Sequence, residues 1–121
     1  MARSGSQEQG GAWAAIGGLL AAGSVALAAY ASHGATGAAQ DRLELAAALA
    51  FGHGLALAAL APGTRGGLRQ LAVIGWAVGV ALFSGSLVAA HFFSVSTRAA
   101  PVGGMLLIAA WLAYALSAWR R

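Results

Sequence analysis

An all-α fold, an integral membrane four-helix bundle, is what this sequence predicts, and three observations predict it. Four long stretches contain no Asp, Glu, Lys or Arg. Hydrophobic residues make up 60% of the chain and charged ones only 8%, against roughly 25% in an average soluble domain. Between the stretches stand Gly, Pro and Arg, the residues that end helices and mark membrane surfaces. A chain of 121 residues makes one domain, read here as 1–121. With a mean hydropathy of +0.75, it lacks the charge to coat a water-facing surface. The absence of Cys excludes a disulfide scaffold.

The first span covers about 13–30, the second 45–61, the third 71–90 and the fourth 101–119. A bilayer core about 30 Å thick needs about 20 apolar residues per helix, so the second is the shortest candidate. Helices are the natural reading because lipid offers no water to unpaired backbone groups. The alternating pattern of a membrane barrel is missing. Asp41-Arg42-Leu43-Glu44 resembles a capping box, with Asp41 at the N-cap and Glu44 at N3 of the second helix. Pro62 to Gly67 is a breaker cluster, and Gly63 suits a helix C-terminus. The short turn makes the second and third helices antiparallel neighbours. Pro101 fits the first turn of the fourth helix, where its missing N–H does no harm.

Arginine sets the orientation. With four spans, Arg3, Arg65, Arg69, Arg120 and Arg121 share one side, and Arg42 and Arg98 the other. The positive-inside rule then puts both termini in the cytoplasm. Trp13, Tyr30 and Trp119 stand at span ends, as interfacial aromatics do. Ala29-Tyr30-Ala31 has the form of a signal-cleavage site, but the apolar run before it exceeds the roughly 7–15 residues of a signal peptide. The net charge of +4 does not make a nucleic-acid binder. The arginines are scattered, with no basic stripe interleaved with aromatics.

Small residues let membrane helices approach closely. Ala14, Gly18, Ala22 and Ala26 form such a row on the first helix, Gly52 and Gly54 lie in the second, and Gly75 and Gly79 make a GxxxG in the third, with Gly85 further on. The GxxxG reads as an internal helix contact in preference to a dimer face. Polar residues inside a span point to function. His53, between Gly52 and Gly54, is the clearest. It reads either as a proton relay, ligand or substrate contact, or as a neutral ring satisfied by a carbonyl or a Ser. Ser84 and Ser86 read first as back-bonding to the preceding turn, and second as a polar patch facing His53. His33 and His91 would lie together at the outer interface without any metal-ligand spacing. Asp41 and Glu44 are explained by capping. No metal, cofactor or enzymatic activity is expected.

These residues carry a resemblance. The chain is similar to the small four-span membrane proteins of the domain of unknown function 423 family, also called transmembrane protein 256 or YwdK-like. The similar blocks are Ala28 to Gly34, His53-Gly54-Leu55-Ala56-Leu57, Leu82-Phe83-Ser84-Gly85-Ser86-Leu87 and Pro101-Val102-Gly103-Gly104. The third is the most specific. The resemblance implies a bacterial inner-membrane protein with an uncleaved first span, and it implies no activity. It makes His33, His53, Ser84 and Ser86 the candidate functional residues. Relatives carry Tyr-Gln just before the second-span His, where Leu49 and Ala50 stand here.

Three functional readings follow. The first is a structural or accessory subunit that packs against a larger membrane complex or another copy of itself, since one ionisable group lies deep in the spans. The second is a small oligomeric transporter or channel with a polar path around His53, Ser84 and Ser86. A haem- or quinone-binding subunit comes third and has only the three His in its favour.

Overall fold

The computed structural model describes residues 5–120. They form α1 (Gly5–Gly34), α2 (Gly37–Leu60), α3 (Gly67–Phe93) and α4 (Ala99–Trp119), with no strand among the described residues. Each helix is long and apolar enough to cross a membrane. The shortest, α4, has 21 residues and measures about 30 Å at 1.5 Å per residue, the thickness of the hydrocarbon core. This is the fold class that the charge-free stretches predict.

The helices overrun the apolar windows. The expected connection 31–44 shrinks to Ala35 and Thr36, because polar residues on either side keep helical hydrogen bonding. Asp41 is therefore not an N-cap. Thr36 holds that position, with extended backbone and no side-chain cap bond. Gly37 has φ of 59°, a left-handed turn that glycine makes without strain and that starts α2 ahead of the expected cap. Glu44 lies inside the helix and accepts a bond from Gln40 Nε2 at 3.1 Å. The far end of α2 matches the breaker cluster. Gly63 has φ of 82°, and Thr64 Oγ1 donates to the Leu60 carbonyl at 3.0 Å. Pro101 lies in the first turn of α4.

Two helical hairpins make up the bundle, α1 with α2 and α3 with α4, and α2 against α3 joins them. Glycines set both crossings. A Cβ on Gly54 would stand 2.8 Å from the Gly17 carbonyl oxygen, and one on Gly17 would collide with the Gly54 carbonyl and lie 2.7 Å from Ala58 N. On the other hairpin, a Cβ on Gly79 would meet Leu107 at 2.8 Å, and one on Gly103 would meet the Gly79 carbonyl at 2.7 Å. Gly75 faces Ala110, so the GxxxG of α3 packs on α4. Three packing expectations are corrected. Side chains at Gly18, Gly52 and Gly85 would meet nothing within 4 Å. In α1 the neighbouring Gly17 makes the crossing instead.

The central helices supply the core, where Trp76, Leu43, Leu57, Val73 and Val80 are the largest fully buried side chains. By contrast, α1 and α4 turn large apolar residues outward, among them Leu19, Val25, Met105, Ile108 and Leu112. One end of the bundle brings together the start of α1, the α2–α3 turn and the end of α4: Gly10 lies against Pro62, and Ser117 shares a hollow with Arg65. At the opposite end Tyr30 meets His91.

Candidate functional site

His53 is the one ionisable side chain buried within the described part of the bundle, at 7% exposure. Its Nδ1 lies 2.7 Å from the Leu49 carbonyl one turn back. Its Nε2 lies 3.0 Å from Trp111 Nε1 of α4. A carbonyl can only accept and an indole N–H can only donate. The ring is therefore the neutral tautomer with its proton on Nδ1, and both nitrogens are satisfied. No third group of the protein is needed to hold it.

Trp111 opens a chain of rings. Its centroid is 4.4 Å from that of Trp76 and 5.8 Å from that of Tyr114, and Trp76 and Tyr114 are 5.3 Å apart. At the end of the chain the Arg69 guanidinium lies 4.8 Å over the Tyr114 ring and donates to its hydroxyl at 2.9 Å. An aromatic column thus runs from the buried His53 to a cation at the end carrying the α2–α3 turn. Residues on α2, α3 and α4 build it, and it ties α2 to α4, whose backbones stay apart.

The remaining candidates disperse. Ser84 does not bond to its own preceding turn. Its hydroxyl crosses to α2 and donates to the Ala46 carbonyl at 2.8 Å, nearly two turns from His53. Ser86 Oγ is buried without a partner, and Trp76 Nε1 shares that condition among the described residues. The polar patch of Ser84, Ser86 and His53 is not assembled. His33 is exposed in the last turn of α1. His91 lies inside α3, its Nε2 3.1 Å from the Tyr30 hydroxyl, with Phe92 packed against both rings. Among the described residues no three His, Asp or Glu group as a metal site would need. Arg3 and Arg121 lie outside the described residues.

Sequence reasoning passed over Trp76, Trp111, Tyr114 and Arg69. A signal was present. Trp near the middle of a span carries an N–H that lipid cannot satisfy, so it asks for an acceptor inside the bundle. The only buried imidazole was the natural one.

A family model described as "Protein of unknown function (DUF423)" matches residues 27–104. This chain belongs to the DUF423 family. The match covers His33, His53, Ser84 and Ser86, together with the α3 part of the aromatic column. It stops before Trp111 and Tyr114, so the two α4 rings that complete the column lie beyond it. Comparison with curated proteins gives no match, and comparison with solved structures gives none either.

Proposed function

We propose that this multi-pass membrane protein is an accessory or structural subunit, acting by packing against a larger membrane complex or further copies of itself. One observation carries the reading. Two of the three candidate polar groups inside the bundle are spent on holding it together, His53 on Leu49 and Trp111 and Ser84 on Ala46, and the third, Ser86, joins neither of them. The outer helices meanwhile offer broad apolar faces, where Leu19 is 74% and Met105 67% exposed. Lipid covers such faces in a monomer, and another helix covers them in a complex. An oligomeric transporter working through His53, Ser84 and Ser86 has less to rest on, because the three do not share one hydrogen-bond network.

A bacterial inner membrane with both termini on the cytoplasmic side fits the charge distribution. Arg65, Arg69 and Arg120 belong to the terminal end, and Arg42 and Arg98 to the other. Purification from the native membrane in a mild detergent, followed by mass measurement of the intact assembly, tests the proposal. A fixed stoichiometry with a second membrane protein or with itself is the expected result. A monomer that moves protons, metal cations or small metabolites across liposomes, in a manner lost in His53→Phe, would overturn it.

A further inference from the structure

The start of α2 and the end of α3 leave a hollow of about 180 Å³ between them, at the end of the bundle away from the α2–α3 turn. Ala39, Arg42 and Leu43 line it from α2, and Leu87, Ala90 and His91 from α3. Both sets follow the spacing i, i+3, i+4, so each is one face of its helix. Leu43 and Leu87 are buried and make an apolar floor. Arg42 is exposed and His91 half-buried, which puts the polar groups at the rim.

That rim offers donors. Arg42 gives its Nε–H to the Ala38 carbonyl at 3.3 Å, and its two terminal nitrogens meet no partner among the described residues. The Tyr30 hydroxyl lies 3.1 Å from His91 Nε2. With that hydroxyl donating, the neutral ring carries its proton on Nδ1, which has no partner among the described residues either. Asp41 and Glu44 belong to the same end of the bundle but to the other side of α2. At about 100° per residue they lie roughly 150° around the helix from the lining face. Glu44 accepts from Gln40 there, and neither carboxylate bonds to Arg42. Arg98, at the N-cap of α4, adds a second cation to this end.

A cationic rim over an apolar floor selects an anion that carries a short hydrocarbon part. We infer that this hollow binds a free short-chain carboxylate, its oxygens on Arg42 and His91 and its alkyl tail on Leu43 and Leu87. At about 30 Å³ per water the space holds about six, and butyrate has about that number of non-hydrogen atoms. Sulfate or phosphate would meet the rim and leave the floor bare. A long acyl chain would fill the floor and overrun it. The inference is independent of the accessory-subunit reading, because the whole site lies within one chain.

The test uses the full chain in a non-ionic detergent with butyrate as the probe, followed by saturation-transfer NMR of the butyrate methyl signal. A saturable response is expected, with butylamine and sulfate competing weakly or not at all. Arg42→Gln should weaken butyrate by about tenfold or more, the scale of a hydrogen bond between charged groups. Because Arg42 is exposed and bonds only within its own helix, this variant keeps the bundle intact. His91→Phe should weaken it by about fivefold, the scale of a neutral donor. Tyr30→Phe frees Nε2, so the ring nitrogen resonances of His91 should report a mixture of tautomers alongside a smaller loss of affinity. Ala39→Leu fills the hollow and should abolish binding with Arg42 and His91 in place. Undiminished binding in Arg42→Gln or in Ala39→Leu overturns the inference. So does equal competition by butylamine or sulfate, or a parent chain that gives no saturable response.

Discussion

His53 illustrates how a histidine is held in the middle of a membrane protein. Leaving a buried polar group unpaired costs about 1–3 kcal/mol, and here both ring nitrogens are paired within the chain. Trp111→Phe keeps an aromatic ring but removes the donor to Nε2. We expect it to destabilise the bundle by about 1–2 kcal/mol, read from the unfolding midpoint in a denaturing detergent. Adding His53→Phe should recover part of that loss, because residues bonded to each other are not additive. The two serines make a sharper contrast. Ser84→Ala breaks the bond to the Ala46 carbonyl and should cost about 0.6 kcal/mol, the average for such bonds in a bilayer. Ser86→Ala removes a buried hydroxyl that has no partner and should leave stability equal or slightly raised. A loss at Ser86 larger than at Ser84 would show that its hydroxyl has a partner outside the chain. The sequence marked both serines alike; only the facing helix separates them.

At the scale of the helix, the glycine crossings decide how the hairpins close. Gly54→Ala places a methyl 2.8 Å from the Gly17 carbonyl oxygen, which drives α1 and α2 apart. Overpacking of this kind costs about 1–3 kcal/mol. Gly18→Ala adds a methyl in open space and should stay within about 0.5 kcal/mol of the parent. The same unfolding assay compares them, and equal losses would refute the crossing. The sequence could not choose between Gly17 and Gly18. In a soluble helix the polar face shows which side is inward, whereas in α1 both the lipid-facing and the core-facing sides are apolar. Helix ends were hidden for a related reason. The charge-free windows measure hydrocarbon thickness, but helical hydrogen bonding continues through Gly37 to Glu44 beyond it, so α2 begins at a two-residue turn and not at Asp41.

For the whole molecule, the testable property is which way it sits. Four crossings put Gly5 and Arg120 on one face and Ser96 on the other. Gly5→Cys and Arg120→Cys should react with a membrane-impermeant maleimide only after the cells are permeabilised, and Ser96→Cys before it, as the arginine asymmetry requires. Labelling Gly5→Cys and Arg120→Cys from opposite faces would break the four-span topology.

The sequence by itself determined the solvent, the helix count and the family, because an 8% charge content and four charge-free stretches leave a chain few other ways to be stable, and because the block around Ser84 is specific. It also marked His53, since an ionisable group amid apolar residues is visible without coordinates. Tertiary structure decided what His53 does. The indole that meets it is 58 residues away, and which glycines touch and which serine crosses between helices were likewise decided by contacts between separate helices. In lipid the inward and outward faces of a helix are both apolar, with small residues such as Gly17 and Gly18 on either side, so only the packed bundle tells them apart.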